Sequence, residues 1–161
     1  MNIHEWAALS SFMLVALPLI YAGIKDAKTM KIPNRIHLML LAVGVLHLFA
    51  AGFSIHAVLW AALGMFLGGF PLLILAVITK GKCVGGGDVK LAACAGFVFG
   101  GLLSYLVLCA ALLLFLFGGL IICGAKKRKL DTPLPFAPFY AAAGILTCAV
   151  IFTIEILEVV T

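Results

Sequence analysis

Charged residues, and acidic residues above all, are scarce in this sequence. Only six of the 161 residues are Asp or Glu, and charged residues of both signs make up 11% of the chain. Hydrophobic residues make up 65%, and the mean hydropathy is +1.28. A water-soluble domain of this length could not bury so much apolar surface. The composition therefore predicts an integral membrane protein.

Several motifs that carry chemistry are also missing. The five cysteines form no Cys-x-x-Cys pair, so neither a zinc site nor a disulfide framework is indicated. No serine lies in a nucleophile elbow, and the phosphate-binding pattern Gly-x-x-x-x-Gly-Lys-Ser/Thr does not occur. The histidines at positions 37, 47 and 56 lack metal-ligand spacing and are expected to be interfacial or packed. We therefore expect no cofactor and no metal.

Apolar runs separated by polar stretches predict about six transmembrane helices. A bilayer core of about 30 Å requires roughly 17 to 25 apolar residues per crossing. The run after residue 88 is too long for one crossing and is expected to reverse at residues 99–101. The fold class is thus all-α, and residues 1–161 form a single helical membrane domain. The predicted spans are 6–24, 36–51, 56–79, 88–100, 102–124 and 136–158.

The basic residues predict how these helices are oriented. All eleven Lys and Arg residues lie within 25–35, 80–90 and 126–129. Because basic loops stay on the cytoplasmic side, the loops near 25–35, 80–88 and 125–135 are expected to face the cytoplasm, with both termini outside. No basic stretch precedes the first span, so we expect it to stay in the mature protein. Aromatic residues are not interleaved with the cations, so lipid rather than nucleic acid is the expected surrounding.

Three aspartates are expected near this cytoplasmic face. Asp26 follows the first span, Asp88 opens the fourth, and Asp131 follows the last basic stretch. Asp88 has a purely structural interpretation as a helix cap behind glycines in a tight turn, and Asp26 has one as a solvated interfacial charge. Ionisable groups at helix ends near a bilayer are costly when they face lipid or one another, so two carboxylates at one membrane depth favour a functional pair. If they share a proton, one can activate a water while the other protonates a scissile carbonyl, without a metal.

Two groups of glycines have expected roles. Those before Asp88 would let an extended substrate backbone approach closely. Gly64 and Gly68, spaced four apart in the third span, favour close packing of helices within the molecule rather than a dimer face.

Three stretches, "GIKDAKTMKIPNRIH", "GGGDVK" and "PLPFAPFYAAAG", resemble in this order the signatures of type IV prepilin peptidases, which are Gly-x-Gly-Asp intramembrane aspartic proteases. The resemblance implies that Asp26 and Asp88 are the catalytic pair and that Gly85, Gly86 and Gly87 form the active-site loop. It also implies cleavage of the basic leader of a prepilin or pseudopilin at the cytoplasmic face of the inner membrane. Which aspartate is the base is left open.

The sequence departs from the long-form members of that family. Those members carry a zinc-binding extension with Cys-x-x-Cys motifs and also methylate the new N-terminus. Here about eleven residues without cysteine join the first two predicted spans, which argues against N-methyltransferase activity and resembles the peptidases of tight-adherence (Flp) pilus systems. Archaeal preflagellin peptidases are the alternative subfamily.

Two further expectations concern charged residues. Lys90 adjoins the aspartate pair and is expected either to favour the ionised aspartate or to meet an acidic substrate residue. Asp131 is expected to be dispensable. A different class of function remains open, namely a small transporter or assembly subunit in which Asp26 and Asp88 bind a cation or couple protons.

Overall fold

The computed structural model describes residues 13–81, 84–125 and 134–160, and within these residues the chain is helical without β-strands. The expected all-α class is confirmed. The described part of the chain contains six helices: α1 (Ala16–Thr29), α2 (Asn34–Ala50), α3 (Ile55–Ile78), α4 (Gly86–Phe99), α5 (Gly101–Ala125) and α6 (Ala137–Val160). The first part of the span predicted at 6–24, the loop residues 126–133 with Asp131, and residues 82 and 83 lie outside the described residues.

Three of these helices have segments long and apolar enough to cross a membrane: Ile55–Ile78, Gly101–Ile122 and Ala137–Ile154. The 17-residue helix α2 is also apolar but shorter. Large hydrophobic side chains on α3 and α5, such as Phe66, Ile78 and Leu116, are exposed. Because such a surface would be unfavourable in water, these helices face lipid, and the protein is a membrane protein.

Helix α4 lies among the other helices and carries a large share of the core. It has 14 residues and is therefore about 21 Å long, shorter than the hydrocarbon core of a bilayer. It packs against α2, α3 and α5 and touches α6, while α1 packs mainly against α6. Half of its residues are buried: Leu91, Ala92, Cys94, Ala95, Gly96, Val98 and Phe99.

Glycines bring α3 and α4 into direct backbone contact. A Cβ atom at Gly68 would lie 2.6 Å from the carbonyl oxygen of Ala92, and Gly64 faces Gly96 in the same way. The glycine pair of α3 thus packs within the molecule, as its spacing predicts. The Ser104 hydroxyl donates a hydrogen bond of 2.8 Å to the Gly64 carbonyl and ties α5 to this contact.

Two helices extend into polar sequence: α1 ends five residues after its predicted span, and α4 begins two residues before its predicted span. Helix α1 continues to Thr29 and ends where Met30 adopts a left-handed conformation (φ 52°), so Asp26 lies on its last turn instead of after it. Polar residues can extend a helix beyond its apolar run because the last turn is solvated. Helix α4 already begins at Gly86, whereas its continuous apolar run begins at Leu91. Both Asp26 and Asp88 therefore lie on terminal turns, outside the apolar segments.

Candidate active site

Asp26 is buried between α1 and α6. Its side chain is only 5% exposed, because Gly23, one turn earlier, allows α6 to approach: a Cβ atom there would lie 3.2 Å from the Cα atom of Pro138. The Asp26 Oδ2 atom accepts a hydrogen bond of 3.0 Å from the backbone N–H of Ala137, the first residue of α6. The interpretation of Asp26 as a solvated interfacial charge is therefore wrong.

The contact of Asp26 with α6 has a clear physical basis. The first N–H groups of a helix have no partner within the helix, and the helix dipole places partial positive charge there. The Asp26 carboxylate accepts a hydrogen bond from the otherwise unpaired N–H of Ala137, and the backbone N–H of Phe136 also stabilises the Asp26 carboxylate. Burial raises the pKa of Asp26, and these two N–H groups oppose that rise.

Asp88 lies on the first turn of α4 and is partly exposed. Its Oδ2 atom accepts a hydrogen bond of 3.2 Å from the backbone N–H of Gly85, the residue before the helix. Asp88 therefore does cap its helix, as the structural interpretation holds, but from the third helical position. This contact occupies one carboxylate oxygen and leaves the side chain accessible at the polar end of the bundle.

The structure brings Asp26 and Asp88 close enough for their charges to interact, although 62 positions separate them in the sequence. Burial, and then the charge of Asp26, raise the pKa of Asp88 to about 6, while the Gly85 N–H opposes the rise. Two carboxylates that repel each other in this way titrate as a pair and retain one proton to a higher pH than an isolated aspartate would. Such a pair can supply an acid and a base at once.

The glycines before Asp88 do not use the conformations that only glycine adopts readily. Gly85 has φ −78° and ψ 153°, and Gly86 and Gly87 belong to the first turn of α4, so the tight glycine turn of the structural interpretation does not form. What these glycines provide is room beside the backbone, because they have no side chain. A Cβ atom at Gly86 would meet nothing within 4 Å, and one at Gly87 would lie 3.5 Å from Ile32. The backbone beside Asp88 is therefore open to a close approach.

Lys90 lies on the side of α4 that faces α2. There it lines an open groove of about 440 Å³, whose other lining residues are Asn34, Arg35, His37, Leu38, Leu41 and Cys94. The charge that acts most strongly on Asp88 is that of Asp26. The groove thus combines two cations with the apolar side chains of Leu38, Leu41 and Cys94, and neither aspartate lines it.

Two contacts at this end of the molecule were not predicted from the sequence. One is the capping of α6 by Asp26, and the other is a hydrogen bond between His37 Nε2 and the Gly87 carbonyl, 3.2 Å apart. His37 is buried, as expected for a packed residue, whereas His56 is exposed at the start of α3. No periodicity or spacing signals either contact. Within the described ranges, no group of three or more His, Cys, Asp or Glu residues could hold a metal ion.

Comparison with known proteins gives a consistent result. The model of the type IV leader peptidase family matches residues 13–124. A prepilin leader peptidase/N-methyltransferase of Bacillus subtilis (strain 168) is 38% identical over 131 residues, which cover 80% of this chain and 50% of that protein. Leader peptidase HopD of Salmonella typhimurium is 35% identical over 147 residues, covering 84% of this chain and 94% of that protein.

A prepilin leader peptidase/N-methyltransferase of Dichelobacter nodosus is 31% identical over 149 residues, covering 89% of this chain and 50% of that protein. The chain thus spans about half the length of the Bacillus and Dichelobacter relatives and nearly all of the Salmonella relative. No solved structure matches the chain significantly.

Proposed function

This chain belongs to the type IV leader peptidase family, and from that premise we propose that it is an aspartic endopeptidase that removes the basic leader of a type IV prepilin or pseudopilin. The names of the similar proteins support a leader peptidase. The observation that carries the proposal is the electrostatic coupling of Asp26 and Asp88 at the polar end of the bundle. A pair of this kind can hydrolyse a peptide bond without a metal or a covalent intermediate.

The surroundings of the two aspartates suggest different roles. Asp26 is held by backbone N–H groups at the N-terminus of α6, which favour its ionised form. The negative charge of Asp26 raises the pKa of Asp88, and only one backbone N–H stabilises the Asp88 carboxylate. Asp88 is therefore the residue that carries the shared proton. Asp88 is also the more exposed of the two, so its carboxyl group is the one that can reach the carbonyl oxygen of a substrate. We assign Asp26 as the general base and Asp88 as the general acid.

These roles give a balanced hydrolysis. Asp26 takes a proton from a water molecule as the water oxygen attacks the scissile carbonyl carbon, while Asp88 gives its proton to the carbonyl oxygen. The tetrahedral intermediate then collapses, the C–N bond breaks, and the proton held by Asp26 passes to the leaving amine. Asp88 regains its proton from the hydroxyl group as the new carboxyl carbonyl forms. The open backbone at Gly86 gives an extended substrate room beside Asp88.

The proposed location is the cytoplasmic face of the inner membrane, with both termini outside. The contacts of Asp26 with Ala137 and of His37 with Gly87 lie at one end of the bundle. Lys25 and Lys28 near the end of α1 and Lys31 in the α1–α2 connection lie at that same end, which supports a cytoplasmic orientation by the positive-inside rule. A leader that remains in the cytoplasm would meet the aspartates there.

The proposal extends to a small Flp-type substrate but not to N-methyl transfer. The connection between α1 and α2 consists of residues 30–33 and has no cysteine. Lys90 remains a proposed electrostatic contact for an acidic substrate group, because it lines the groove together with Arg35. Two cations there would repel the basic leader, so the leader is expected to lie away from this groove.

The test is cleavage of a candidate prepilin by the full chain reconstituted in liposomes, with the mass of the mature product as the readout. Asp26→Asn and Asp88→Asn should each lower the rate at least about 100-fold, the usual scale for loss of a general acid or base. Asp131→Asn is the carboxylate control and should cleave at the wild-type rate. Thermal unfolding of each purified variant, measured in one detergent before reconstitution, checks that it is folded.

Retained cleavage in either the Asp26 or the Asp88 variant would refute the shared role of the pair. If the wild-type protein cleaves no candidate prepilin but conducts protons or cations, and Asp26→Asn abolishes that conduction, the transporter class is correct instead. Measuring both activities on the same preparation separates the two functions.

A further inference from the structure

His37 occupies an unusual position for a histidine in an apolar helix. It lies on the first turn of α2 and is 6% exposed. Its Nε2 atom lies 3.2 Å from the carbonyl oxygen of Gly87, a residue 50 positions later in the sequence and directly before Asp88. This contact joins the start of α2 to the first turn of α4, which carries the proposed general acid.

The contact fixes which ring nitrogen carries the proton. A carbonyl oxygen only accepts hydrogen bonds, so the Nε2 atom must donate. In the neutral ring the Nδ1 atom is then an acceptor, and this atom is buried without a partner among the described residues. A buried polar atom without a partner costs free energy. His37 is therefore an expensive residue to place here for packing alone.

The position of the Gly87 carbonyl suggests why a histidine with an unpaired buried nitrogen is found here. Gly87 has no side chain that could anchor the first turn of α4: a Cβ atom there would lie 3.5 Å from Ile32, and the contact that Gly87 does make with α2 is the hydrogen bond of its carbonyl with His37. The Gly87 carbonyl belongs to the peptide group that leads into Asp88, so a shift of that group turns the Asp88 side chain. Asp88 must face Asp26 to share a proton with it.

We propose that His37 is a positioning residue, which holds the peptide group between Gly87 and Asp88 so that the Asp88 carboxyl faces Asp26 and the scissile bond. The inference rests on the proposed peptidase function. It names His37 as a part of the site that acts through Asp88 and does not touch the reacting atoms.

The experiment compares two substitutions at this position in the full chain. His37→Phe keeps a ring of similar size but removes the donor, while His37→Gln places an amide N–H at a similar reach. For the Phe variant we expect kcat to fall about tenfold, which corresponds to about 1.4 kcal/mol, with KM unchanged. The Gln variant should recover most of the loss.

Unfolding measurements separate positioning from support of the fold. His37→Phe removes the buried Nδ1 atom along with the donor, so its melting temperature should stay close to that of the wild-type protein. Leu40→Ala is the matched packing control, since Leu40 is completely buried one turn further along α2. This control should lower the melting temperature and leave kcat per folded molecule unchanged.

The inference is overturned if His37→Phe keeps the wild-type kcat, or if His37→Gln loses as much activity as His37→Phe. Failure of the underlying function has a different signature. In that case the wild-type protein does not cleave prepilin, or cleavage persists in Asp26→Asn. A failed inference about His37 would instead leave cleavage intact and still dependent on both aspartates.

Discussion

Replacing Asp88 by asparagine is expected to stabilise the folded protein at neutral pH while it removes cleavage. Burial and the charge of Asp26 raise the pKa of Asp88 from an ordinary value of 3.8 to about 6, which means that its ionised form is disfavoured in the fold. At 1.36 kcal/mol for each tenfold change in the equilibrium, this rise corresponds to at most about 3 kcal/mol. Because Asp88 is partly exposed, solvent screening reduces the expected gain to about 1–2 kcal/mol.

The gain depends on pH in a defined direction. Folded Asp88 binds its proton more tightly than unfolded Asp88, so the wild-type protein loses stability as the pH rises from about 4 to about 6. Above that range the contribution of this residue no longer changes. Asparagine is neutral throughout, and its carbonyl oxygen still accepts the hydrogen bond from Gly85. The stability difference should therefore vanish near pH 4 and be largest above pH 6.

Thermal unfolding of both proteins in one detergent, measured across this pH range, checks the prediction. At neutral pH the asparagine variant should melt a few degrees higher, since about 1 kcal/mol corresponds to roughly 2–4 °C in a chain of this size. A variant that is less stable at neutral pH, or a difference that does not change with pH, would refute the reasoning. Either result would mean that the Asp88 carboxylate is solvated and does not interact with Asp26.

Two further predictions concern glycines. Gly68→Val should destabilise the protein by about 1–3 kcal/mol or more, because a Cβ atom there would lie 2.6 Å from the Ala92 carbonyl oxygen. Gly124→Val is the control in the same unfolding assay, since a Cβ atom at that position would meet nothing within 4 Å. Equal melting temperatures of the two variants would contradict the contact between Gly68 and Ala92. Gly86→Ala should leave the melting temperature unchanged or slightly higher. It should lower kcat/KM several-fold, because the methyl group would occupy the space left for the substrate backbone. An unchanged kcat/KM in the cleavage assay would show that the substrate backbone does not pass beside Gly86.

Composition and periodicity were enough to predict the helices. Apolar runs and polar breaks predict six helices, and the described residues contain six, with most boundaries within about two residues. The reversal at residues 99–101 is also where α4 ends and α5 begins. The larger difference falls at the polar end of α1, since hydropathy marks where a helix stops being apolar and not where it stops being a helix.

The arrangement around the aspartates could only partly be predicted. The scarcity of acidic residues and the predicted topology indicated that Asp26 and Asp88 lie at one end of the bundle. In the structure their charges interact. The contacts that the sequence did not indicate are those of Asp26 with the backbone N–H of Ala137 and of His37 with the Gly87 carbonyl, and a backbone N–H or carbonyl leaves no mark in a sequence. Contacts of this kind depend on how helices pack side by side, so they appear only when the fold is known.

The contact between Asp26 and the start of α6 bears on when activity first arises during biosynthesis. The two groups are 111 residues apart, so α1 is made long before Ala137 can enter the bilayer beside it. Until then Asp26 lacks the N–H donors that favour its charge. A nascent chain that has not yet inserted α6 is therefore expected to lack the proposed peptidase activity.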